Sequence, residues 1–328
     1  MQKKVTAHLL SKYFCDICKR YIINSNLMRV HNIIFIGLFT TLLTHTVKAQ
    51  NIIYQPEDSV RIEQLLSLGL QQPEGTNLQL FYARQFLGIP YVAKTLEANY
   101  IDSPQTAKEQ LIINTRELDC TTFVETVCNL TITTLQGKTS FADYCHNLTL
   151  MRYQDGIIYG YASRNHYYST AIDNMERHNI AHELGPDDSP LFIARKQQVI
   201  NFMTTHPDLY PALRNPGGDQ FLPAIRQAEE AITRTEHYIP TSLLGKSRKE
   251  LSCVHDGDIL ALVTDKAGLD VAHVTIAHWG KDGKLHFIHA SSIRHKVVDE
   301  PLTVQQYQLR QKTQPGIRVI RLTMDIEH

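Results

Sequence analysis

The chain has 328 residues, 43% of them hydrophobic and 20% charged, which is enough for one large domain or two ordinary ones with a sizeable core. Lys plus Arg and Asp plus Glu both number 33, so the formal charge is zero. No basic field points to nucleic acid, and no charge excess of either sign singles out a charged surface as the partner.

Near the N-terminus, Arg29 and His31 precede an apolar run from Ile33 to Leu43, followed by Val47-Lys48-Ala49 and Gln50. This is the layout of a secretory signal with an A-x-A-like cleavage site. The run is shorter than the roughly 20 residues that span a bilayer, and no cysteine follows the cleavage point to carry a lipid. The expectation is an exported protein, periplasmic or secreted, with no stable membrane anchor after signal cleavage. Met28 suits a short basic n-region better than Met1 does, so residues 1–27 read as an over-long start. Cys15 and Cys18 form a lone CxxC inside that stretch and carry no functional weight. Residues 50–328 then form a single domain, elaborated at about 153–240.

Apolar residues recur at helical spacing from Ser59 to Leu68 and from Thr76 to Phe86, and Gly88-Ile89-Pro90-Tyr91 stops the second helix. A third helix opens at Cys120, places Leu118, Phe123 and Val127 toward a core, and runs to about Leu135. A fourth spans about Phe141 to Arg152. From Tyr153 to Pro240 the pattern is less regular, with an Arg164-Asn165-His166-Tyr167-Tyr168 cluster and a Pro/Gly-rich piece from Pro211 to Pro223. Strand-like runs follow at Ile259–Val263, Ala272–Trp279, Leu285–Ala290 and Ile317–Leu322. Helices first and an antiparallel sheet second predict an α+β fold.

Cys120, in Leu118-Asp119-Cys120-Thr121-Thr122-Phe123-Val124-Glu125, sits at a helix start, where the partly positive helix end and a nearby imidazolium would lower a thiol pKa from about 8.5. A buried, inert core thiol is the competing reading. Cys120 and Cys128 lie about 12 Å apart along one helix, too far to bridge, while Cys128, Cys145 and Cys253 leave room for a disulfide among them.

Downstream, His273 opens one strand and His289 closes the next. A three-residue loop, Lys281-Asp282-Gly283, with Gly283 left-handed, pairs Gly280 with Lys284 and therefore His273 with Ser291. His273 and His289 then become diagonal neighbours on one face, roughly 7–8 Å apart by Cα, with His278 and His286 on the other. A two-residue loop would break that arrangement. In the functional reading His273 is the base for Cys120 and His289 orients it. Five histidines from His273 to His295 also invite a metal reading. On the residues alone the nucleophile, metal and structural readings all stay open.

Gly88-Ile89-Pro90-Tyr91, Asp119-Cys120, Asp256-Gly257-Asp258-Ile259-Leu260, His273-Val274-Thr275-Ile276 and Ile288-His289-Ala290-Ser291 occur in the order typical of the NlpC-type, papain-like cell-wall cysteine hydrolases. The form LDCTTFVE and the Ser163-to-Tyr167 cluster resemble the N-acetylmuramoyl-L-alanine amidase-like branch. The resemblance implies a papain-like NlpC-type fold, with N-terminal helices on a central antiparallel sheet and a large insertion after the cysteine helix. It implies Cys120 as nucleophile, His273 as base, His289 as third polar residue and Tyr91 as support for the thiolate or oxyanion, with no cofactor and no metal. Arg164 and His166 become candidate substrate contacts, an arginine fork suiting stem-peptide carboxylates. The implied reaction is hydrolysis of the N-acetylmuramoyl-L-alanine amide in peptidoglycan fragments, 1,6-anhydromuropeptides rather than intact wall. The alternatives are a γ-D-glutamyl-diamino-acid endopeptidase or a non-catalytic peptidoglycan-binding module. Two positions depart from the pattern, Lys94 in place of glycine and Thr121 in place of serine.

Overall fold

A computed structural model describes residues 52–102 and 107–323. The expectations for the signal segment, Met28 and the Cys15/Cys18 pair lie outside the described residues. Four of the longer helices come first: α1 (Pro56–Leu70), α2 (Leu78–Gln85), α3 (Cys120–Leu135) and α4 (Phe141–Arg152), with a five-residue helix at Ala98–Asp102 between α2 and α3. Each of the last three opens on a side-chain cap, with Asn77, Asp119 and Ser140 accepting backbone N–H bonds from the first turn. Helix α3 buries nearly its whole length, and Phe123, Val127 and Leu130 are wholly enclosed. Burial of each contributes about 1.5–3 kcal/mol. Among the described residues no helix is long and apolar enough to cross a membrane.

The sheet is antiparallel and eight-stranded. Its strands are β1 (Ala181–Leu184), β2 (Ala194–Gln197), β3 (Thr235–Pro240), β4 (Ile259–Val263), β5 (Val271–Trp279), β6 (Leu285–Ser291), β7 (Lys296–Asp299) and β8 (Gly316–Leu322). They run in the order β2-β3-β8-β4-β5-β6-β7, with β1 also paired to β8. Central β4 is buried on both faces. Ile259 and Ala261 join the core cluster that includes α1–α4, while Leu260 and Leu262 join a second cluster with Phe287 and Val304. That split follows from the two-residue period of a strand.

Residues 153–240 are more regular than the pattern suggests. They carry α5 (Tyr168–Arg177), α6 (Leu222–Ala231) and the strands β1 to β3, two of which pair directly with β8. The expected α+β layout is what the structure shows, with a last short helix, α7 (Val304–Leu309), before β8. The four cysteines among the described residues are free thiols, so no disulfide joins Cys128, Cys145 or Cys253.

Candidate active site

The β5–β6 hairpin has the three-residue loop. Gly280 N–H donates to Lys284 C=O at 2.9 Å, and Gly283 takes a φ of 70° that a side chain would disfavour. The ladder pairs Ile276 with Ile288 and His278 with His286. His273 and His289 consequently meet on one face, with Nε2 of His273 2.6 Å from Nδ1 of His289. His278 and His286 lie elsewhere, stacked 5.7 Å apart and bonded to Asp299 and Asp282. Among the described residues no three His, Cys, Asp or Glu side chains converge as a metal site.

Cys120 is the first residue of α3. Asp119 caps the helix, its Oδ1 accepting the Thr122 N–H at 2.8 Å and its C=O accepting that of Phe123, so the cap leaves the Cys120 N–H uncommitted. Cys120 and His273 line one cavity of about 170 Å³. Val124 and Cys128, four and eight residues along α3, continue the same wall. Asn165, His166, Tyr168 and Tyr210 face them across the cavity. Helical spacing from Cys120 could have identified the first wall. Nothing local in the sequence announces Tyr210 or Asp270, which reach the cavity only through the fold.

The electrostatics differ from the expected thiolate. Burial, then the Asp119 carboxylate, pushes the Cys120 thiol up to about 12, against hydrogen bonding from Thr121 and the Val274 backbone. Burial and His289 push His273 down to about 3. Burial therefore favours the uncharged form of each over a preformed ion pair. Since His273 Nε2 is engaged with His289, Nδ1 is the ring nitrogen left for the thiol. Thr121 carries a hydroxyl, as the expected serine would, and hydrogen bonding from it favours the charged form of the Cys120 thiol.

Tyr91 stands near Cys120. Burial, with the charges of Cys120 and Asp119, raises its hydroxyl to about 12, so it remains a donor. His166 lies on the cavity wall, and one ring nitrogen contacts the Tyr161 C=O at 2.8 Å. Burial and the Arg164 charge push its pKa down to about 3, which keeps it neutral.

Arg164 does not stand ready for a substrate carboxylate. It is 5% exposed, and its guanidinium donates to Glu97 at 2.9 Å and to Glu109 at 3.1 Å. Tyr100 and Tyr153 donate to the same Glu109. The fork expected to hold substrate is occupied by two internal carboxylates, those of Glu97 and Glu109. Lys94 has a left-handed backbone, φ 62°, a conformation that the expected glycine would adopt without strain, and its Nζ donates to Leu209 C=O.

One acidic residue near the histidines is absent from the expectations. Glu300, 3% exposed, places Oε2 3.4 Å from His289 Nε2. It follows β7, a strand too short and too near a turn to read from the sequence.

A family model described as N-acetylmuramoyl-L-alanine amidase-like matches residues 82–316. A solved N-acetylmuramoyl-L-alanine amidase from Bacteroides uniformis ATCC 8492 is 35% identical, the match covering 76% of this chain and 100% of that one with a TM-score of 0.67. A Bacteroides fragilis structure whose provisional name is that of a xylanase is 36% identical, over 74% of this chain and 99% of that one, at a TM-score of 0.65. Protein LPG0564 from Legionella pneumophila, 20% identical over 81% of this chain and 95% of that one at a TM-score of 0.59, shares the fold. No curated protein matches the chain.

Proposed function

Because the chain belongs to the N-acetylmuramoyl-L-alanine amidase-like family, we propose that it is a papain-like, NlpC-type cysteine amidase that cleaves the bond between the lactyl group of N-acetylmuramic acid and L-alanine. Cys120 attacks the lactyl carbonyl while His273 Nδ1 takes the thiol proton. In this reading the Cys120 N–H and the Tyr91 hydroxyl receive the developing oxyanion. His273 then returns the proton to the leaving L-alanine amine, and water, deprotonated by the same nitrogen, hydrolyses the thioester. His289 holds the His273 ring throughout.

The observation that carries this reading is that Cys120 and His273 line one cavity while His273 is held from behind by His289 at 2.6 Å. A nucleophile, a base and a group that orients the base are the parts acyl transfer needs. The apolar stretch formed by Val124, Cys128, Met151 and Met175 suits the methyl groups of lactate and alanine, and His166 with Asn165 supplies polar contacts to sugar or peptide. We propose 1,6-anhydromuropeptides as the substrates and the periplasm as the compartment, the signal-like residues 29–49 supporting export.

The test is mass spectrometry of GlcNAc-anhydroMurNAc-tetrapeptide incubated with the purified protein and with its Cys120→Ala variant. Release of intact tetrapeptide by the wild type alone is the expected result. Release of a product that leaves L-Ala-γ-D-Glu on the sugar would make the enzyme an endopeptidase. Equal turnover by both proteins would remove Cys120 from the chemistry.

A further inference from the structure

We propose that Glu300 is a positioning residue that sets the proton order along Cys120, His273 and His289; the proposal rests on the reading of His273 as the base. Its placement follows from strand register. In the β6–β7 ladder Ile288 faces Asp299 and His289 faces Val298. One step further Glu300 N–H donates to Phe287 C=O at 3.0 Å, so Glu300 stands opposite Phe287 and diagonal to His289 on the same face. The row His273, His289, Glu300 thus crosses three adjacent strands.

His289 is wholly buried, its ring set edge-on against Phe287 and Tyr307. Its Nε2 has no hydrogen-bond partner, and Glu300 Oε2 lies 3.4 Å away. The carboxylate is within reach but out of line with the ring N–H, and catalytic hydrogen bonds are often long or poorly aligned before substrate tightens them. The carboxylate is steadied by Arg294, at 3.3 Å from each oxygen, and by the Leu302 N–H at 3.4 Å.

A neutral imidazole carries one N–H and one lone pair, and His273 Nε2 and His289 Nδ1 share a single proton between them. With that proton on His273, Nδ1 of His273 is bare and can act on the thiol. With it on His289, His273 must carry its own proton at Nδ1, and the thiol meets a donor instead of a base. An ionised carboxylate only accepts, so Glu300 calls for N–H at His289 Nε2 and leaves Nδ1 to accept from His273. The acid therefore selects the arrangement competent for catalysis.

Nitrogen-15 NMR of histidine-labelled protein at neutral pH reads this directly, without substrate. The wild type should show His289 and His273 both protonated at Nε2. Glu300→Ala should move the His289 proton to Nδ1, and Glu300→Gln, whose amide oxygen still accepts, should restore the wild-type pattern. Alkylation of Cys120 and kcat should both fall about 10- to 100-fold in Glu300→Ala, the range expected when a partner that orients an imidazole is lost, with KM within about two-fold. Cooperative thermal unfolding of each variant keeps misfolding separate from misorientation. A wild-type His289 protonated at Nδ1, or a folded Glu300→Ala variant with unchanged Cys120 alkylation, would overturn the proposal. Because the tautomer and alkylation readouts need no muropeptide, failure of the amidase assay is a distinct outcome.

Discussion

Asp119 acts on Cys120 in two opposed ways. Its carboxylate caps α3 through the Thr122 N–H, holding the first turn in place, and its negative charge raises the thiol it precedes. Asparagine caps a helix as well as aspartate does but carries no charge. Asp119→Asn should therefore keep the melting temperature and lower the Cys120 pKa, accelerating iodoacetamide alkylation at pH 8, whereas Asp119→Ala should cost about 1 kcal/mol of stability. An Asn variant that alkylates no faster than wild type would mean that burial alone sets the thiol. His273 and His289 are legible as a pair because hairpin arithmetic gives relative position without any knowledge of packing, whereas Cys120 joins them only through the family resemblance. Arg164 is not legible, because an arginine in a polar cluster reads the same whether it faces solvent or meets Glu97 and Glu109 from a distant loop.

At the scale of elements, the ends of α3 and α4 and the strands β4 to β6 were readable from periodicity and caps to within a residue or two. β1, β2 and β7, each four residues long, and the six-residue β3 were not. Short strands carry too few alternations to show a period, and their identity comes from the neighbours they pair with, β8 for β1 and β3, β3 for β2 and β6 for β7. Missing β7 also meant missing Glu300. The Arg164 cluster belongs to this scale too, since it ties the segment around Tyr161 to Glu97 and Glu109. Removing one member of a buried ion pair costs about 3–5 kcal/mol, because the partner charges stay behind unpaired. Arg164→Ala should lower the unfolding free energy from urea titration by that amount and leave KM unchanged in the protein that remains folded. A large rise in KM at unchanged stability would return Arg164 to the role of substrate contact.

Across the molecule, three buried histidines share one behaviour. His166, His273 and His289 are each pushed from 6.5 to about 3, all by burial first, then His166 by Arg164, His289 by Arg294 and His273 by its neighbour His289. Between those values each is neutral when folded and protonated when unfolded. The unfolded chain then binds more protons, so stability rises with pH through this window, is fully present above 6.5 and is lost as pH falls toward 3. Each such proton is worth about 1.4 kcal/mol per pH unit, so three together give a slope of up to about 4 kcal/mol per unit. The consequence for catalysis is specific. A base that stays unprotonated well below its usual range does not limit activity near pH 6.5, and a thiol held near 12 gives no thiolate shoulder between pH 8 and 9. The acid limb of kcat should follow unfolding instead. Denaturant midpoints measured at pH 7, 6 and 5 should fall together with activity, and replacing His166 by phenylalanine should flatten the slope by about one third. A midpoint that stays level from pH 7 to 5, or an activity profile with an inflection at 6.5 in fully folded protein, would show that His273 is protonated in that range and that the resting pair holds an ionised imidazole after all.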